Sequence, residues 1–222
     1  MILMTPDLKS SDLRILFIGN SFTSRNNLPR LLTDLARAAP NPKKVHAQAI
    51  VAGGASLRRH WNAGTARTAL ETSRWDYVVL QEQSTLPIKN QARYHENVRL
   101  FDAEIAKQGA RTALYLTWAR QHAPETQDII TRAVEDIAGQ VDARVIPVGR
   151  AWDMAKIETP DLELYVSDGS HPSTAGSYLA ACVFYVSLFD EPPLGWAVAE
   201  SLKLDRDTAA MLQAVAWACR KT

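Results

Sequence analysis

Ser21, Asp168 and His171 are the residues of this sequence whose types and spacing suit covalent chemistry. A serine hydroxyl is a weak nucleophile at neutral pH, and it needs a base within hydrogen-bond reach plus a third group that holds the base in the right tautomer. Asp168-Gly169-Ser170-His171 is a loop closed by Pro172, so the carboxylate can curl back to imidazole Nδ1 and leave Nε2 facing out. Ser21 sits in Gly19-Asn20-Ser21-Phe22-Thr23, directly after an apolar run, where a tight turn projects its hydroxyl beside a helix start. Together they predict a Ser-His-Asp arrangement in which Ser21 attacks, His171 takes the proton and Asp168 orients the ring. Each piece alone has a plainer reading. Ser21 can cap a turn beside an anion-binding helix N-terminus, and the Asp168 to Pro172 stretch can be a turn before a helix. Their joint occurrence favours the chemistry.

Residues so far apart in sequence meet only if the chain between them keeps returning to one edge of a framework. Short apolar runs alternate with longer segments of helical period, the pattern of repeated βα units around a parallel sheet. Five runs qualify as strands: residues 15–18, Val45–Val51, Tyr77–Leu80, 113–116 and 145–148. Most are too apolar for a sheet with one wet face, so helices should cover both. Leu28, Leu31, Leu32, Leu35 and Ala39 form one helical stripe, with Pro29 near its first turn. Val98, Phe101 and Ile105 form a second before Gly109, and Ile130, Val134, Ile137 and Val141 a third. A short segment at residues 152–157, a loop at 160–172, an apolar helix near 175–189 and a terminal helix near 205–220 follow. In such sheets ligands bind beyond the carboxyl ends of the strands, where strand order reverses. The loops to search are therefore Gly19 to Thr23, Ala52 to Ser56, Gln81 to Ser84, Thr117 to Arg120 and Asp168 to His171.

Composition narrows the partners. The chain has 222 residues, suited to one domain, and 25 Lys plus Arg against 24 Asp plus Glu give a net charge of +1. That provides no overall field to gather nucleic acid or an anionic membrane, so a small or neutral molecule is the expected partner. No stretch reaches the roughly 20 apolar residues of a membrane span, and Asp7 and Lys9 interrupt any secretory apolar region near the start. A cytoplasmic location is the expectation, with a secreted mature form as the alternative. Cys182 and Cys219, each within an apolar helical pattern, read as buried thiols rather than a disulfide. His46, His60, His95, His122 and His171 lack the paired spacings of a zinc site, and no glycine-rich phosphate loop follows the first strand.

Ser21 after the first strand and the Asp168-x-x-His171 pair near the end resemble the blocks of the SGNH, or GDSL-type, hydrolase superfamily. The resemblance runs from about Ile15 to His171 and is nearest to a branch reading Gly-Asn-Ser-Phe-Thr, as at Gly19 to Thr23, in place of Gly-Asp-Ser. It implies a flavodoxin-like three-layer α/β/α sandwich with a five-stranded parallel sheet in the order 2-1-3-4-5. It also implies hydrolysis of esters without a cofactor, often acetyl or other acyl groups on carbohydrate, sometimes lipids or thioesters.

A tetrahedral intermediate needs prepositioned donors for its oxyanion. The Ser21 N–H is one, and the Gly53-Gly54 pair offers another because glycine lets backbone approach a substrate closely. Gly54 is favoured and Gly53 is the reserve. The family usually supplies a third donor from an Asn after strand three, where this chain has Gln81-Glu82-Gln83-Ser84 and no Asn. A related carbohydrate-esterase branch reads Gln-Gly-Glu there, so Gln81 is the first choice and Gln83 the reserve; the alternative is that Gln81 merely bonds a neighbouring loop.

Trp61, Trp118 and Trp152 follow strands two, four and five, where a ring can stack on a sugar or simply fill the core. Arg120 beside Trp118 can receive an anionic group or stand solvated. An acyltransferase on the same scaffold, or a non-catalytic module holding a sugar or acyl ligand, are the competing readings. A binding module would discard the triad, and this chain keeps all three members.

Overall fold

The computed structural model describes residues 12–193 and 196–221, so Asp7 and Lys9 lie outside the described residues. Five strands, β1 (Leu13–Gly19), β2 (Val45–Val51), β3 (Tyr77–Leu80), β4 (Arg111–Tyr115) and β5 (Arg144–Ile146), form one sheet in the order β2-β1-β3-β4-β5. All neighbours are parallel, with Ile15 opposite both Ala47 and Tyr77, and Val79 opposite Ala113. The helices are α1 (Ser21–Ser24), α2 (Leu28–Ala38), α3 (Leu57–Ala63), α4 (Thr65–Thr72), α5 (Leu86–Lys89), α6 (Gln91–Lys107), α7 (Gln127–Val141), α8 (Val148–Glu158), α9 (Thr174–Phe189), α10 (Trp196–Ser201) and α11 (Arg206–Ala218). This is the α/β/α sandwich with the order the resemblance implies.

The pleat explains the two cores. Successive strand side chains point to opposite faces. Leu13, Ile15 and Phe17 therefore join a cluster with α2, α8, α9 and α11, while Leu16 and Ile18 join one with α3, α4, α6 and α7. β1 and β3 are central and almost wholly buried, whereas edge strand β2 keeps partial exposure along its length. α9 buries nearly its whole circumference because it packs against α2, α8 and α11 together.

Several boundaries differ from the sequence reading: strand one, read at 15–18, runs Leu13–Gly19, and the segment read at 152–157 is the longer α8. Strand five was expected at 145–148 but ends at Ile146, because Pro147 has no N–H for the ladder and Val148 already opens α8. Strand four begins two residues earlier than its apolar run, at the exposed Arg111. β2 and β3 lie on opposite sides of β1, so strand order reverses there, at the ends that carry Ser21 and Gln81 to Gln83. Among the described residues no helix is long and apolar enough to cross a membrane.

Candidate active site

The chain leaves β1 at Gly19 and turns at once into α1. Asn20 caps that helix, its Oδ1 accepting the Phe22 N–H at 3.1 Å. This leaves the Ser21 N–H without a partner in the described protein. A Cβ on Gly19 would come within 2.6 Å of both Gln81 Oε1 and Thr23 Oγ1, so only glycine lets the turn lie this close to β3. His60 of α3 fixes the same turn from the other side, with Nε2 2.7 Å from the Gly19 carbonyl oxygen. Burial lowers the pKa of His60, which keeps the ring neutral with Nε2–H as donor.

Ser21 Oγ lies 2.8 Å from His171 Nε2, and His171 Nδ1 lies 2.6 Å from Asp168 Oδ2. Asp168 Oδ1 accepts the N–H groups of Ser170 at 2.8 Å and His171 at 2.9 Å. The hydrogen bonds from His171 and Ser170 hold the Asp168 carboxyl at about 2, below its ordinary 3.8, so it remains an acceptor throughout the neutral range. Nδ1 must then carry the proton, and Nε2 is left to accept from the Ser21 hydroxyl.

The loop carrying this pair is fastened from outside. Trp118 Nε1 donates to the Ser170 carbonyl at 3.0 Å, and the Gln121 N–H donates to the Gly169 carbonyl at 2.8 Å. Trp118 is itself clamped: Phe22 stacks on it at a centroid distance of 4.8 Å, and Trp152 stacks on it at 3.9 Å. Phe22 then meets His171 edge-on at 5.5 Å. The residue after the nucleophile and the base thus share one aromatic support.

Two further loops flank Ser21. The loop after β2 is tied to the nucleophile turn by Asn20 Nδ2 donating to the Ala55 carbonyl at 3.1 Å and by the Ala52 N–H donating to the Gly19 carbonyl at 3.3 Å. Its Gly53 and Gly54 are exposed, and neither N–H has a partner in the described protein. Gly54 has φ +62°, the left-handed region that favours glycine. In the loop after β3, Gln83 Oε1 accepts the N–H and the hydroxyl of Thr85, each at 3.0 Å, and the Gln83 Nε2 hydrogens have no partner among the described residues.

Among solved structures, a candidate SGNH hydrolase from Slackia heliotrinireducens shares this fold with TM-score 0.68 and 29% identity, over 80% of this chain and 100% of that one. In its fold the chain is similar to the SGNH hydrolases, which supports a serine hydrolase. A DUF4886 family protein from Bacteroides uniformis superposes with TM-score 0.80 at 22% identity, over 94% of this chain and 95% of that one. An acetyl-xylooligosaccharide esterase from Geobacillus does so with TM-score 0.67 at 17% identity, over 82% and 96%. At such identities these two speak for the fold. No family model and no curated protein matches the chain.

Gln81, Trp118 and Trp152 are placed otherwise than a substrate-contacting role needs. Gln81, the first choice for the third oxyanion donor, is fully buried beneath the nucleophile turn. Its Oε1 accepts from the Asn20 N–H at 2.8 Å and the Thr23 hydroxyl at 3.1 Å, while its amide nitrogen donates to the Glu82 carbonyl. The side chain that closes β3 is consumed in bracing its neighbour and has no surface for a substrate. Trp118 is only 1% exposed with both faces covered, so it is no sugar platform. Trp61 is half-buried, packing edge-on against Phe101 of α6 at 5.2 Å with Arg67 over its ring. Trp152 is likewise buried in the aromatic stack. Arg120 has no acidic partner among the described residues, and its Nε is buried without a hydrogen bond.

The sequence reading also passed over residues that shape the site. Asn20 was visible as an amide standing where the family usually has a carboxylate. Glu82 and His60 gave no signal, since their importance lies in which backbone groups they reach.

Proposed function

We propose that the chain hydrolyses short acyl esters through a covalent acyl-enzyme formed on Ser21. The observation that carries this is the unbroken line from Ser21 Oγ to His171 Nε2 at 2.8 Å and from Nδ1 to Asp168 at 2.6 Å. As Oγ bonds to the ester carbonyl carbon, its proton passes to His171 Nε2 and the carbonyl oxygen becomes an oxyanion. The unpaired N–H groups of Ser21 and Gly54 receive that charge, with Gln83 Nε2 in place of Gln81 as third donor. Collapse breaks the bond to the alcohol, which leaves with the proton from His171. Water then repeats the sequence on the acyl-enzyme, giving up a proton to His171 and releasing the acid and Ser21.

An acetyl group on carbohydrate is the substrate class supported by the acetyl esterase among the fold relatives. Trp118 and Trp152 lend this no help, because their rings are buried in the aromatic stack.

A series of p-nitrophenyl esters of increasing acyl length, together with acetylated xylo-oligosaccharides, tests the reading. Wild type should turn over the acetyl members best, and Ser21→Ala should lower kcat by about 10⁴-fold or more. A fluorophosphonate should label Ser21, with Ser170 and Ser84 unlabelled. Gln83→Ala should lower kcat by about 10²-fold with little change in KM, the mark of a bond made mainly in the transition state. Labelling that survives Ser21→Ala would move the nucleophile, and an unaltered Gln83→Ala would remove the third donor.

A further inference from the structure

Glu82 is a carboxylate that the chemistry does not use, yet it is only 5% exposed in the loop beside the site. Its Oε1 accepts two backbone N–H groups, from Leu57 at 3.0 Å and from Gln83 at 2.7 Å. Its Oε2 accepts Asn97 Nδ2 of α6 at 2.8 Å. Leu57 opens α3 directly after the loop that bears Gly53 and Gly54, and Gln83 lies in the loop after β3. A single oxygen atom therefore joins the backbones of the two loops that flank Ser21.

We infer that Glu82 is a positioning residue, a buried strap that holds the Gly54 loop and the Gln83 loop in register for the oxyanion. The inference rests on the proposed roles of Gly54 and Gln83. Glu82 itself does not meet the substrate, since both its oxygens are engaged inside the protein.

Burying a carboxylate is costly unless its lone pairs are satisfied, and here burial does push the Glu82 pKa upward against the pull of its hydrogen bonds and of Arg58. A neutral acceptor would meet the two N–H groups at a smaller desolvation cost. What the charge adds is shorter, stronger bonds to both loops at once. The surrounding network is built to keep that carboxylate in place. Asn97 is 1% exposed, and its Oδ1 accepts Arg58 Nε at 3.0 Å, which fixes the amide with its NH2 toward Glu82. Arg58 in turn pairs with Glu96 at 2.6 Å at the surface. Each donor in this line has one acceptor to serve, so reversing one member leaves a donor facing a donor.

That polarity supplies the test. In Glu82→Gln the side chain keeps its shape and one oxygen for Leu57 and Gln83, but its new NH2 faces the NH2 of Asn97. In the double variant Glu82→Gln with Asn97→Asp the direction of that bond is reversed and restored, and the buried charge moves by one side chain toward Arg58. On p-nitrophenyl acetate, well below the melting temperature of each variant, Glu82→Gln should lower kcat by about 10- to 100-fold with KM within about threefold, as expected when reacting groups are misplaced by a fraction of an ångström. The double variant should recover kcat to within about threefold of wild type. Asn97→Ala, which keeps the carboxylate and removes one of its three bonds, should fall between the two and serves if Glu82→Gln does not fold. A stability loss with kcat unchanged in these variants, or a double variant whose melting temperature recovers while kcat does not, overturns the positioning role. Gln83→Ala separates this from the parent reading. If it is inactive while Glu82→Gln is fully active, the strap is wrong and the donor stands. If it is fully active while Glu82→Gln is impaired and rescued, the strap stands through the Gly54 loop and the donor falls.

Discussion

Asn20 uses every polar group it has. Its N–H donates to Gln81 Oε1, its Oδ1 caps α1 at the Phe22 N–H, and its Nδ2 donates to the Ala55 carbonyl. An aspartate could cap the helix equally well, but it has no hydrogen to offer Ala55 and would set a carboxylate against a carbonyl oxygen in a site only 3% exposed. This gives a physical reason for an amide ahead of Ser21 in this chain. Asn20→Asp should therefore destabilise the protein by about 1–3 kcal/mol, the range for a buried acceptor left unpaired. It should also lower kcat, because the Gly54 loop loses one of its two ties to the nucleophile turn. Urea unfolding and acetyl-ester turnover check both, and an Asn20→Asp variant as stable and active as wild type would refute the account.

At the scale of elements, the base loop depends on how α9 begins. Ser173, two residues past His171, accepts the Gly176 N–H at 3.1 Å as the cap of α9 and donates to the Glu163 carbonyl at 2.6 Å. Asn26, just beyond the nucleophile helix, donates to the Ser173 carbonyl at 3.1 Å and to Ser177 Oγ at 2.8 Å. The start of α9 is thus the joint where the two halves of the triad are tied together outside the active atoms. Removing the cap with Ser173→Ala should cost about 1 kcal/mol, and in a chain of this size that lowers the melting temperature by about 2–4 °C. Calorimetry reads it directly. A shift near zero would mean that solvent replaces the cap without loss. The long amphipathic helices α2, α6 and α7 were legible because apolar stripes recur at helical spacing. α3 and α4 are short, and their apolar contacts, Leu57, Ala66 and Leu70, are too sparse to stand out as a stripe.

For the molecule as a whole, the two-core arrangement fixes the fate of its sulfur atoms. Cys182 and Cys219 are both buried and form no disulfide, as their apolar helical surroundings predicted. Burial pushes the Cys182 thiol far above its ordinary pKa, so the reactive thiolate is scarce at neutral pH. Neither thiol should react with Ellman's reagent in the native protein over the time of an activity assay, and both should react once guanidinium unfolds the chain. Rapid modification of the native protein would contradict the packing of α9 against α2, α8 and α11.

What the sequence determined by itself was carried by short-range rules. Alternating apolar runs and helical stripes dictated parallel βα units. Asp168, Gly169, Ser170 and His171 are near enough along the chain for local geometry to pair the carboxylate with the ring, and Ser21 was marked by its place after a strand. The choice between Gln81 and Gln83 was not local. They lie on the same loop with the same chemistry, and only the packing of the nucleophile turn over β3 decides that the first is buried as a brace while the amide hydrogens of the second have no partner among the described residues. Trp118 and Trp61 were ambiguous for the same reason, because a ring that stacks on a sugar and a ring that stacks on Phe22 or Phe101 have one signature in sequence. Glu82 shows the limit most plainly. Its partners are backbone N–H groups at positions 57 and 83 and an amide at position 97, and backbone groups carry no letter in the sequence, so only the folded chain reveals what that carboxylate holds.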